Sequence, residues 1–230
     1  MSNIMAIIKK QLKDTIKNKT VLIQFIMFPV LTLIMNNAIT IDGMPPNFFV
    51  NLFATMYIGM APLTSIAAVI AEEKEKNTLR VLLMSNVKPY EYLLGIGSYI
   101  WFACMLGAAI ICIAGRYEFQ ERLVFMLIMA IVILSTLLIG AAIGIWSKTQ
   151  MMATSITVPV MMIFSFLPML SMFNSTAAKI AKFIFSEQVS IMLNQISSPQ
   201  PGIGNICIIV TYVFVFIALF TFAHKKCGLA

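Results

Sequence analysis

The apolar positions of this 230-residue chain gather into long unbroken runs, not the narrow stripes of a water-exposed fold. Runs near 21–39, 48–71, 92–114, 123–146, 151–173 and 204–223 are each mostly apolar. About 20 such residues let a helix cross hydrocarbon with its backbone bonded only to itself. Six membrane-spanning helices are therefore expected. Pro29 and Pro62 interrupt the first two runs, a break that neighbouring helices absorb in a membrane. Gly140 and Gly144 in the fourth run form a small-xxx-small pair that admits close approach of another helix, for packing or for gating.

Three segments outside these runs carry a different pattern. In 3–19, Ile4, Ile8, Leu12 and Ile16 recur every fourth residue beside Ile7, with Lys9, Lys10, Lys13, Asp14 and Lys17 on the other face. This pattern predicts an interfacial helix lying in the headgroup layer. Between the second and third runs lies the most charged stretch of the chain. It opens Glu72-Glu73-Lys74-Glu75-Lys76-Asn77-Thr78-Leu79 and continues with a stripe of Leu79, Leu82, Leu83 and Val87 before the turn at Pro89. Glu72 and Lys76 stand at i,i+4 in the favourable order. One short amphipathic helix over 72–87 is predicted. In 174–203, two pieces, Ala177–Phe185 and Glu187–Gln195, are divided at Ser186 and end in a Pro199-Gln200-Pro201-Gly202 break. Each is too short to span and too apolar for a free loop, so half-helices in the outer leaflet are expected, acting as a lid or as a packed cap.

Composition narrows the class. The chain is 60% hydrophobic and 11% charged, against about 25% charged for an ordinary soluble domain. A soluble enzyme, a disordered tail and a secreted disulfide scaffold are excluded. The net charge of +7 does not indicate nucleic-acid binding, because the cations sit between apolar runs. Their placement instead orients the chain. Twelve of the sixteen lysines and arginines fall on the side that holds both termini, and Arg116, Arg122, Lys179 and Lys182 fall on the other. Both termini are expected in the cytoplasm. Cys104 and Cys112 stand eight residues apart on one helix, about 12 Å at about 1.5 Å per residue, too far to be bonded.

Catalytic chemistry finds no support. His224 is the single histidine, which leaves a serine without a base and a metal without ligands. Glu72-Glu73 resembles the start of the Glu-Glu-x-x-x-Arg motif of prenyl-protease-like enzymes, but Asn77 stands in place of the arginine. No Gly-x-x-x-x-Gly-Lys-Ser/Thr stretch is present to cradle phosphates. An ATPase-independent channel or immunity protein would have no reason to present the charged helix.

The interfacial helix, six spans, charged helix after span two and outer half-helices together resemble the transmembrane subunit of ABC transporters of the type-2 permease family. The most specific match is Glu73-Lys74-Glu75-Lys76-Asn77-Thr78-Leu79, which is similar to that family's Glu-x-Glu-x-Gly-Thr-Leu, with Asn77 in the glycine position. The resemblance implies an all-α membrane protein in the bacterial cell membrane that carries no cofactor of its own. It implies a second permease chain, identical or related, and two ATP-binding-cassette subunits that hold ATP and Mg. Glu72, Glu73, Glu75, Lys76, Asn77, Thr78, Leu79, Leu82, Leu83 and Val87 would form the coupling helix docked on the ATPase.

It further implies a pathway between the two permeases lined by spans one, two and five. Here those spans contribute Phe25, Phe28, Met35, Asn36, Asn51, Thr55, Met56, Met162, Phe166 and Met169, with no charged side chain among them. An uncharged, methionine-rich lining suits an apolar or amphipathic cargo. The compact form resembles exporters of bacteriocins and toxin peptides, including phenol-soluble modulins; multidrug or lipid-like export, or an ATPase-independent channel or immunity protein, is the alternative.

Overall fold

The computed structural model describes residues 3–39, 47–196 and 203–227, and the described residues form helices without strands. In chain order they are α1 (Asn3–Lys17), α2 (Lys19–Ala38), α3 (Phe48–Glu75), α4 (Thr78–Met84), α5 (Pro89–Ala114), α6 (Phe119–Trp146), α7 (Gln150–Ser171), α8 (Ser175–Ala181), α9 (Phe185–Asn194) and α10 (Ile203–Cys227). Six of them, α2, α3, α5, α6, α7 and α10, are long and apolar enough to cross a membrane. The all-α membrane fold and its six spans are as the apolar runs predicted. The break at 199–202 lies outside the described residues.

Local chemistry sets the helix starts. Pro89 opens α5, and the Glu91 carboxylate accepts from the Lys88 amide at 2.9 Å; Glu121 does the same for Glu118 at the start of α6, also at 2.9 Å. Thr149 and Asn174 accept amides at the starts of α7 and α8.

Helix α3 is the axis. Its span is 78% buried, against 17–44% for the other five, and it packs on α2, α5, α6, α7 and α9. Small residues bring two neighbours close. A Cβ on Gly140 would lie 2.5 Å from the Leu63 carbonyl oxygen, and one on Gly144 2.9 Å from Cβ of Ile70, so the pair seats α6 against α3. Gly59 does the same for α7, where Ser165 donates to the Met56 carbonyl at 3.1 Å. The glycine pair of span four thus packs directly on α3.

The α1 helix forms as expected, over Asn3–Lys17. Ile7, Gln11 and Thr15 are buried, with Ile7 against Gly95 of α5, while Met5, Leu12 and Ile16 are exposed. Within the fourfold stripe, Ile4 and Ile8 are half-buried and Leu12 and Ile16 are exposed.

The outer segment also differs in register. The turn falls at Lys182–Ile184, ahead of Ser186, because Phe185 opens α9 and is fully buried with Val189 and Leu193. Phe185 packs among Phe164, Tyr212 and Phe216. Helix α9 is thereby seated on α3, α7 and α10. A second anchor ties this end together: Asn51 of α3 donates to Asn194 at 2.8 Å and accepts from the Tyr117 hydroxyl. Burial pushes that hydroxyl well above the ordinary tyrosine value, which keeps it a donor.

Candidate coupling site and family membership

The predicted single helix over 72–87 is two pieces. Glu72 to Glu75 complete the last turn of α3, and α4 begins only at Thr78. Asn77 makes the break. Its φ of 56° and ψ of 11° are left-handed, a conformation that glycine and asparagine adopt most readily. The Lys76 amide donates to the Glu72 carbonyl and the Asn77 amide to the Lys74 carbonyl, both at 3.0 Å, closing α3 before the chain turns. Thr78 Oγ1 then donates to the Glu73 carbonyl at 3.1 Å, and Leu79, 1% exposed, plugs α4 into the bundle.

Each of the four residues before the break holds a different partner. Glu72 pairs with Lys76 at 2.5 Å, an exposed contact that raises the lysine above its ordinary value. Glu73 is buried and accepts from Lys10 at 2.5 Å and Gln11 at 2.7 Å, both on α1. Its second oxygen is also buried, facing the Tyr92 hydroxyl of α5. Lys74 donates to the Ile145 carbonyl at 2.5 Å, near the end of α6. Glu75 accepts from the Gln150 amide at 2.7 Å, placing a carboxylate on the N-terminus of α7. This run of charges is the point where α1, α6 and α7 are fastened to α3. A cavity of about 590 Å³ opens beside it between α1, the start of α2 and the end of α3.

Helix α4 turns Leu82 and Leu83 toward the core, joined by Val87 just after it. Its outward side carries Arg80, Val81 and Met84; Val81 is 64% exposed and Met84 79%. Of the leucine stripe, Leu79 is buried and Leu82, Leu83 and Val87 are half-buried, and the free apolar surface of α4 is Val81 with Met84. That face was available from spacing, since it is the complement of Leu79, Leu82 and Leu83 on one short helix.

The ten residues assigned to a pathway separate into two groups. Phe25 and Phe28 of α2 are buried, with Phe28 edge-on to Tyr57 of α3. Asn51, Thr55 and Met56 are buried inside the bundle because α3 is its axis. Asn36 donates to the Ala114 carbonyl at 2.7 Å, and Met35 and Met169 are half-buried. Only Met162, 53% exposed, and Phe166, 41% exposed, stand on an open face, that of α7. Among the described residues no group of histidine, cysteine and carboxylate side chains is placed to hold a metal.

Comparison with known proteins agrees with this architecture. The family model described as ABC-2 family transporter protein matches residues 1–223. None of the curated proteins compared matches the chain. With nearly the full length matched, six spans in place and the Glu-x-Glu-x-Asn-Thr-Leu turn formed as an interhelical fastening, the chain belongs to the ABC-2 family of transporter permeases.

Proposed function

We propose that this permease is the membrane half of an ATP-driven exporter of hydrophobic or amphipathic peptides. Two of its chains, or one with a related permease, join two ATP-binding-cassette subunits that bind ATP and Mg. The membrane is the bacterial cell membrane, with α1, α4 and both termini on the cytoplasmic side. Six crossings return the chain to the side on which it began, and that side carries most of its lysine and arginine.

The observation that carries the cargo reading is the open face of α7. Its outward side chains include Met151, Met152, Val158, Met162, Ile163, Phe166 and Leu170, and no Asp, Glu, Lys or Arg occurs anywhere in α7. A charged solute crossing beside that face would lack any compensating group. Flexible methionines accommodate varied apolar side chains. The ATPase cycle is transmitted through α4, whose displacement moves the end of α3 and with it the three helices fastened there.

The test is ATP hydrolysis by the permease co-purified with its ABC ATPase in nanodiscs, with and without amphipathic helical peptides. Stimulation by peptide supports peptide export. Stimulation by small apolar drugs or by lipid alone replaces the cargo, and failure to form any complex overturns the ATPase-coupled reading.

A further inference from the structure

Helices α5, α6 and α10 enclose a second cavity that the coupling site and the α7 face do not use. It is a groove of about 650 Å³, floored by Leu134 and Leu138 of α6 and walled by Gly97 and Trp101 of α5 and by Phe220 of α10, with Tyr90 at its mouth. Its lining is almost wholly apolar. From Tyr90 to Phe102 it follows α5 for about 18 Å at about 1.5 Å per residue, close to the depth of one leaflet's hydrocarbon, about 15 Å.

Cations lie on the α4 side of the helices that form this groove. Lys88 Nζ lies 5.8 Å from the centre of the Tyr90 ring. Lys226 Nζ lies 5.6 Å from the ring of Phe222 and 5.8 Å from that of Trp146, each in a helix that forms the groove. Lys225 and His224 precede Lys226, and His224 stacks on the groove residue Phe220 with centroids 6.2 Å apart. The His224 Nδ1 atom is buried with no hydrogen-bond partner. Glu91, the carboxylate nearest Lys88 in sequence, is occupied by Asn3 and the Lys88 amide.

We infer that the groove is a binding site for an anionic phospholipid of the α4-side leaflet, with one acyl chain along α6 and the phosphate between Lys88 and Lys226. An apolar slot one leaflet deep with basic residues at headgroup level matches both halves of that molecule. A second copy of this chain is a poorer occupant, because twofold pairing through the groove sets the same lysines against one another. The inference does not depend on the identity of the cargo.

Trp101 makes the site visible. The chain holds two tryptophans, so Trp146→Phe leaves Trp101 as the sole tryptophan, excited selectively at the red edge of its absorption, while keeping a ring beneath Lys226. The protein is reconstituted in phosphatidylcholine nanodiscs carrying a small fraction of acyl-brominated lipid, either phosphatidylglycerol or phosphatidylcholine, and quenching is read. Brominated phosphatidylglycerol is expected to quench Trp101 at a far lower fraction than brominated phosphatidylcholine. Lys88→Gln and Lys226→Gln should each cut that preference about fivefold, from about 1 kcal/mol per lysine. Gly97→Leu should abolish it, since a Cβ there meets nothing within 4 Å and the side chain fills the slot without disturbing the bundle.

Equal quenching by the two headgroups, or an unchanged preference in the lysine variants, overturns the site. Displacement of brominated phosphatidylglycerol by amphipathic peptide would make the groove a cargo site and also overturn it.

Discussion

Lys10 of α1 reaches the Glu73 carboxylate at the end of α3 across 2.5 Å, with the glutamate side chain 8% exposed and the lysine 36%. One partner is immersed and the other remains wetted, so the contact anchors α1 without sealing off its charge. Removing the buried partner leaves Gln11 unpaired and Lys10 free to turn to water. Glu73→Ala should cost about 2 kcal/mol, and trypsin should cut faster at Lys9, Lys10 and Lys13 as α1 loosens. Lys10→Met should cost less, with the double variant short of additive by about 1 kcal/mol. Thermal unfolding in detergent measures all three.

The orientation of α4 separates attachment from docking. Val81→Asp and Met84→Asp change exposed positions and should leave the permease folded while weakening retention of the ATPase about tenfold or more. Leu79→Asp places a charge at a position 1% exposed and should lower the yield of folded permease itself. Co-purification against a size-exclusion profile distinguishes the two outcomes. Normal ATPase retention by both surface variants would remove α4 from the interface.

Close packing of α6 on α3 gives a steric prediction. Gly140→Leu must push its Cβ away from the Leu63 carbonyl oxygen, 2.5 Å distant, and should cost about 3 kcal/mol. Gly97→Ala, with open space around it, should be neutral or slightly stabilising. The difference in melting temperature between the two variants is the measurement.

At the opposite end, Glu187 of α9 accepts from Ser171 of α7 at 3.0 and 3.1 Å. Burial raises its carboxyl above the ordinary value of 4.5, with the Ser171 hydroxyl opposing. A raised folded value favours the protonated acid, so its contribution is present at low pH and is lost as pH rises through the folded value. The α7–α9 contact should therefore loosen on going from acid to neutral pH. Glu187→Gln should flatten that dependence, read by hydrogen exchange of the α9 amides against pH.

The spans were legible because the requirement behind them is simple: a backbone in hydrocarbon must bond to itself, and only a long apolar helix does so. The turn at Asn77 was partly legible, from an asparagine in a glycine position. What periodicity does not carry is which apolar face meets protein and which meets lipid, since both are equally apolar. Hence Ile7, Gln11 and Thr15 are the buried positions of α1 while Leu12 and Ile16 are exposed, and Leu82 and Leu83 lie partly buried against the bundle. The burial of Asn51, Thr55 and Met56 was equally illegible. Nothing local to those residues shows that α3 is surrounded on several sides; that follows from glycines on α6 and α3 more than eighty residues apart, or from the serine that α7 sets against Gly59.

Asn77 leaves one residue of left-handed backbone between a helix that carries the free apolar surface and a helix that touches most of the bundle. Mechanically this is a hinge without slack. Because Leu79 and the Thr78 hydroxyl lock α4 to the last turn of α3, a torque applied to α4 is borne at once by the Lys74 and Glu75 contacts on α6 and α7. Asn77→Gly should preserve that stiffness, and Asn77→Val, forced into a backbone costing about 1–2 kcal/mol, should uncouple the ATPase stroke from the membrane helices even where both subunits still bind.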